Sequence, residues 1–161
     1  MNADDVLIED HDNLRDLLNR LKSTNTDDGE MRTALLDMLV AVLTVHVQIE
    51  DELFYPAIAE VSPLLGASHA QHRQIDDQLA VVLRTDPTTD AFDVELDMLA
   101  ATLHHHAGEE EELMFAQSQA LGNVRLASLG ERMERRRNQL NNSRRNAIRI
   151  RMKLETLRRL A

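Results

Sequence analysis

Two pairs of residues in this chain share one spelling, His-x-x-x-Glu: His46 with Glu50, and His106 with Glu110. Residues four apart lie on one face of a helix, about 6 Å apart along its axis, so each pair can grip one cation. Both pairs stand where an apolar residue is expected. Leu36, Leu39, Leu43, His46, Glu50, Leu53 and Ala57 advance in steps of 3 and 4, the buried seam of a helix in a bundle. Leu96, Leu99, Leu103, His106, Glu110, Leu113 and Gln117 repeat those steps. His11 holds an equivalent place among Leu7, Leu14, Leu18 and Leu21, and His72 another with Ile75, Leu79 and Val82. An unpaired buried carboxylate is costly, so it stays outside, finds a partner or binds a metal. One histidine on a seam is ordinarily a core or surface residue. Four histidines and two carboxylates on converging seams, with few internal partners to offer, point to metal. Imidazole and carboxylate together suit iron, manganese or zinc better than calcium or magnesium, and this number of donors suits two ions. No histidine has a glutamate three residues before it, unlike the Glu-x-x-His pairs of ferritin-like centres, and there is no His-Glu-x-x-His.

The seams define the elements that must carry these donors. A first helix is expected from about Ala3 to Lys22, followed by a polar turn ending at Gly29. A second runs from Asp27 or Glu30 to about Glu60, closed by Pro63 and Gly66. A third covers about Ala67 to Arg84. After Pro87 a fourth begins with Asp90 and Asp93 in its first turn. Short connections between helices of this length predict an all-α, up-down-up-down four-helix bundle. Past Gly122 and Asn123 a further helix carries Leu126, Leu129, Met133 and Leu140. Its stripe weakens at Asn141 to Ser143 and resumes at Ile148, Met152 and Leu160.

Charge divides the chain at the same place. Residues 1–120 carry −19 and residues 121–161 carry +9, within a whole of −10. This predicts a bundle domain over 1–120 and a basic helical extension over 121–161. The extension reads as an amphipathic helix docked on the acidic bundle or as a homodimer contact. Binding to nucleic acid or an anionic surface is the alternative. The lack of stacking aromatics weighs against single strands. With no cysteine, disulfides, thiolate zinc sites, iron–sulfur clusters and a cysteine nucleophile are excluded. The N-terminus is acidic where a signal peptide would be basic, and the longest apolar run, near Met38 to Val45, is too short to span a membrane. A soluble, cytoplasmic protein is expected.

Two details remain open at this level. His105 with Glu109 offers a rival His-x-x-x-Glu register, with His104 beside it; the leucine phase favours His106 and Glu110. Tyr55, the single tyrosine, points away from the seam in an ideal helix. Near Pro56 the backbone can bend it inward, where it would ligate a metal or hydrogen-bond a bridging oxygen.

The order His11, then His46-Val47-Gln48-Ile49-Glu50, then His72, then His106-Ala107-Gly108-Glu109-Glu110 resembles the hemerythrin-like family, in particular its stand-alone bacterial members. The resemblance covers about residues 4–118. It implies a four-helix bundle around a non-heme di-iron centre with oxo or hydroxo and glutamate bridging, reactive towards hydrogen peroxide, O2 or NO. His11, His46, Glu50, His72, His106 and Glu110 are the implied ligands, with His69 and Tyr55 as further candidates. Two departures from the oxygen carriers stand out. Their paired third-helix histidines are spaced i, i+4, whereas His69 and His72 are i, i+3. Their last carboxylate is an aspartate five residues after the histidine, whereas Glu110 is four after His106. Both weigh against reversible oxygen carriage. The expected function is therefore catalase-like peroxide decomposition, with an O2- or NO-binding or iron-responsive sensor or storage protein as the alternative, and a redox-inert zinc bundle behind both.

Overall fold

A computed structural model describes residues 1–159. Six helices account for nearly all of them. Helix α1 (Ala3–Lys22) opens with a capping box: Asn2 Oδ1 accepts from the Asp5 N–H while Asp5 Oδ2 accepts from the Asn2 N–H. Helix α2 (Gly29–Ile58) and helix α3 (Leu65–Arg84) follow. Helix α4 begins as Asp90–Glu109 and continues to residue 118. Helices α5 (Asn123–Asn141) and α6 (Arg144–Arg159) complete the chain. Among the described residues there is no strand.

The first four helices form the up-down-up-down bundle. The α1–α2 and α3–α4 turns meet at one end, where the fully buried Arg32 donates to Thr24 Oγ1 and O, to Pro87 O and to Asp93 Oδ1, with its guanidinium 4.9 Å from the centre of the Phe92 ring. At the other end the start of α1 meets the end of α4: Asp4 accepts from Ser118 Oγ at 3.0 Å and from Gln119 Nε2 at 2.6 Å. One core fills the Arg32 end, with Leu36, Leu39, Leu79, Leu96 and Leu99 buried in it. A second, with Phe54, Tyr55, Met114 and Phe115, fills the other.

The long helices α2 and α4 are interrupted in the same way. Each turns α-helically as far as its seam glutamate, then makes one π-helical turn, Glu50–Phe54 or Glu110–Met114, and then resumes as Tyr55–Ile58 or Phe115–Ser118. The Tyr55 N–H reaches the Glu50 carbonyl and the Phe115 N–H reaches the Glu110 carbonyl, both i→i+5. One extra residue in the turn moves the buried face by one position. This corrects the seams expected beyond each glutamate: Leu53 and Ala57 are only partly buried, and Leu113 is 48 % exposed. Phe54, Tyr55 and Ile58, and Met114, Phe115 and Ser118, take the inner places. Proline is not the shared cause, since Ala116 stands in α4 where Pro56 stands in α2.

By length and composition α2 is apolar enough to cross a membrane, at a mean hydropathy of 1.5 over its best window, although its longest uninterrupted apolar run is short. Half of that window is buried inside the protein. That burial, together with the buried His46 and Glu50, is what a core helix requires.

Helix α5 lies across α1 and α2, and α6 across α3 and α2. Gly122, at φ 82°, makes the turn into α5. At Gly130 a Cβ would stand 2.4 Å from the Met1 carbonyl oxygen, so glycine lets α5 approach the N-terminus. The basic residues meet acidic ones on the bundle: Arg136 with Glu52, Lys153 with Asp76, Arg158 with Asp37. Exposed pairs of this kind contribute about 0–1 kcal/mol each. The larger contribution comes from Leu126, Leu129, Met133 and Leu140 of α5 and Leu154 and Leu157 of α6, all buried. The stripe expected to continue through Ile148 and Met152 does not. Both are exposed, because the break at Asn142 and Ser143 restarts the helix on a different face; Leu160 lies outside the described residues.

Candidate metal centre

Each bundle helix delivers one imidazole to the middle of the molecule, and α2 and α4 add a carboxylate each. His11, His46, Glu50, His106 and Glu110 present donor atoms all within 4.8 Å of one another, and all five side chains are buried. His72 Nε2 joins them at 3.2 Å from Glu50 Oε2. The imidazoles fall into two pairs: His11 and His46 have ring centres 4.9 Å apart, as do His72 and His106, while His46 and His106 are 6.3 Å apart. Glu50 lies between the pairs. Its Oε1 is 3.1 Å from His46 Nε2, and its Oε2 is 3.2 Å from His72 Nε2 and 4.0 Å from His106 Nε2. Glu110 turns Oε2 to His11 Nε2 at 3.2 Å and to His106 Nε2 at 3.7 Å.

Two of the four outer nitrogens, those of His11 and His106, are hydrogen-bonded, while those of His46 and His72 only face a carboxylate. His11 Nδ1 is 2.8 Å from Glu111 Oε1, which also accepts from Arg15. His106 Nδ1 is 3.0 Å from Gln71 Oε1, and Gln71 in turn donates to Glu109. His46 Nδ1 faces Asp10 Oδ2 at 3.5 Å, and His72 Nδ1 faces Asp51 Oδ1 at 3.7 Å. His11 and His106 are thus held as metal-binding histidines are, with the outer nitrogen on a carboxylate or amide and the inner nitrogen free.

The inner atoms fit a cation and little else. His11 Nε2, His46 Nε2, His106 Nε2, both oxygens of Glu50 and Glu110 Oε2 are fully buried with no hydrogen-bond partner. Native interiors leave few such atoms, and here these six lie together in the middle of the bundle. Protons do not resolve the mismatch evenly. Burial and the Glu50 charge push the Glu110 carboxyl up to about 7. Burial pushes the His106 imidazole down to about 3. Burial opposes charge at Glu50 as well, yet His46 and His72 hold its carboxyl well below the ordinary range.

Tyr55 is inside this site. The π turn after Glu50 carries it onto the inner face, where its hydroxyl donates to Glu110 Oε1 at 2.7 Å and lies 3.2 Å from His72 Nε2. Burial and the charges of Glu50 and Glu110 hold the phenol protonated far above its usual range. The ideal-helix geometry read from sequence would have pointed it elsewhere; the signal that was available, Tyr55 five residues after Glu50, becomes informative only with an i→i+5 turn. His69 is not brought into the buried cluster. It is 47 % exposed and sits with Asp51 at 3.4 Å, at the outer edge of His72. The supporting residues Asp10, Gln71 and Glu111 carry no recognisable spacing in the sequence, because they come from other helices than the histidines they hold.

His105 is 71 % exposed and meets Glu109 only at 3.8 Å, so the His106–Glu110 register is the one that points inward. His106→Ala should lose metal while His105→Ala retains it, measured as metal per chain after purification; the reverse pattern would place the site in the wrong register.

Comparison with known proteins agrees with this geometry. Residues 2–118 match the family of the Hemerythrin HHE cation binding domain. Uncharacterized proteins of Mycobacterium tuberculosis and Mycobacterium bovis are 32 % identical over 160 residues, covering 98 % of this chain and 99 % of theirs. The crystal structure of a hemerythrin HHE cation binding domain-containing protein from Mycobacterium kansasii is similar at 33 % identity and a TM-score of 0.81, covering 98 % of this chain and 99 % of that one.

Proposed function

This chain belongs to the hemerythrin HHE cation-binding family, and from that premise we propose that it is a non-heme di-iron protein that decomposes hydrogen peroxide. The observation that carries the pair of irons is Glu50, whose two oxygens face different histidine pairs. His11 and His46 would hold one ion, His72 and His106 the other, with Glu50 and Glu110 between them. When bound, two irons supply two-electron exchange, so that one peroxide takes up two electrons and two protons to give two waters and a second gives up the same to leave as O2.

The protein's own residues bind, support and restrict. The hydrogen bonds of Glu111 to His11 and of Gln71 to His106 orient those two imidazoles before metal arrives, and Asp10 and Asp51 lie in place to accept from His46 and His72. A small recess between α1 and α4, about 10 Å³ and lined by Leu14, Leu18, Leu103 and Ala107, borders His11 and His106; only a molecule as small as peroxide, O2 or NO can enter there, and only as these side chains move. Tyr55 Oη, held protonated, donates to Glu110 Oε1 and can instead offer that hydrogen bond to an oxygen at the centre. Tyr55→Phe should keep its iron and lose on the order of 100-fold in turnover, the usual scale for a hydrogen-bond donor aimed at developing charge. Unchanged turnover and visible spectrum would remove Tyr55 from the chemistry, and loss of an intense visible band would make it a phenolate ligand.

Oxygen release from added peroxide by the iron-loaded protein, abolished in His46→Ala, tests the reaction itself. Stoichiometric, reversible uptake of O2 or NO without turnover would favour a sensor or storage protein instead.

A further inference from the structure

We propose that Arg137, on helix α5, is a positioning residue for His46, acting through Asp10. The inference rests on the metal-binding reading of His46. The Arg137 guanidinium forks across two carboxylates, donating from one nitrogen to Asp10 Oδ1 at 2.7 Å and from another to Glu9 Oε2 at 2.7 Å. Asp10 is nearly fully buried, and its second oxygen has no hydrogen-bond partner. That oxygen faces His46 Nδ1 at 3.5 Å, and His46 Nε2 faces Glu50 Oε1 at 3.1 Å. Arg137 thus fixes Asp10 by a hydrogen bond and leaves its free oxygen facing the equally unpartnered His46 Nδ1, which places a helix on the outside of the bundle one contact away from a candidate ligand.

The other supports differ in origin. Glu111 and Gln71, which hold His11 and His106, both lie within the four-helix bundle. The support of His46 is anchored from α5, beyond residue 118 where the family match ends. A lone carboxylate as buried as Asp10 is costly without a partner, and the planar fork of an arginine holds two carboxylates at fixed angles as a lysine cannot. A cavity of about 260 Å³ borders the pair, with Asn13 and Asn141 among its walls. Without Arg137 this cavity gives water a path to Asp10, which would then be free to turn from His46. The extension therefore completes the centre as well as covering the bundle.

Arg136 provides the matched control. It stands next to Arg137 on α5 and makes an equally short pair with Glu52 on the bundle surface, but Glu52 touches no histidine of the cluster. The experiment loads the full-length protein and the variants R137Q, D10N and R136Q with iron, and measures the rate of iron loss to a chelator and the position of the visible absorption band. R137Q and D10N should lose iron about tenfold faster, the usual scale for a residue supporting a metal-bound histidine, with a displaced band; R136Q should match the unaltered protein in both. If α5 serves only as packing, R137Q will lower the melting temperature more than R136Q, because it strands the buried Asp10, but both will leave the two metal readouts unchanged, which overturns the inference. D10N keeps an oxygen for Arg137 and so keeps α5 docked. It decides alone if R137Q does not fold, and iron retention at the unaltered rate in D10N overturns the inference. Failure of the unaltered protein to take up iron at all would instead overturn the metal-binding reading, and this inference with it.

Discussion

Glu50→Ala will fold as a helical protein and fail to hold metal. No other side chain in the centre faces both histidine pairs through separate oxygens, so its removal deprives both proposed ions of a donor at once. Loss of a supporting contact costs about 10- to 100-fold in metal affinity, and loss of this shared donor should exceed the upper end. The effect also reads out as stability. A metal at about 100 times its dissociation constant stabilises a folded protein by about 2.7 kcal/mol, which for a chain of this length is a rise in melting temperature on the order of 5–10 °C. Adding ferrous iron to chelator-treated protein, without oxygen, should produce that rise in the unaltered chain and in Glu112→Ala, whose side chain is exposed, and not in Glu50→Ala. An equal rise in Glu50→Ala would mean that the ion binds elsewhere.

Arg32→Ala will have the largest effect on the fold while sparing the centre. Arg32 is fully buried and ties both turns at its end of the bundle to α2 and α4 through Thr24, Pro87 and Asp93. Breaking a buried ion pair costs about 3–5 kcal/mol. Asp93 is 46 % exposed and can rehydrate, so the lower end, about 3 kcal/mol, is expected, or a loss of roughly 6–12 °C in melting temperature. Arg32 stands fourteen residues before His46 on the same helix, about 21 Å along the axis, so iron per chain should stay at the unaltered value. A melting temperature within about 2 °C of the unaltered protein's would show that the buried contacts contribute little.

Much of this architecture is written in hydrophobic spacing. The seams of α1 and α3 are buried throughout as their leucines predict, and those of α2 and α4 are buried as far as Glu50 and Glu110. The His-x-x-x-Glu pairs were legible for the same reason: a helix keeps residues four apart on one face, and a polar residue on an apolar face stands out. What followed the glutamates was not legible. A π turn leaves no composition signature, and the simple 3.6-residue period put Leu53 and Leu113 inside and Tyr55 outside. Arg32 was missed because its partners are two turns and a helix start, remote in sequence from α2. Asp10, Gln71 and Glu111 were missed because an ordinary acidic or amide residue on a helix gives no sign of which histidine it faces. The break at Asn142 and Ser143 was visible as a weakening, but the change of face it causes depends on the direction in which α6 leaves.

The central claim is that these buried histidines and glutamates hold a pair of irons. It is tested most directly by metal analysis and a visible spectrum of protein purified from iron-supplemented cells, beside His46→Ala prepared in the same way. The account predicts about two irons per chain, the number these donors suit, with visible absorption in the unaltered protein and neither in the variant. Protein that emerges without iron, or that keeps its iron in His46→Ala, would contradict it.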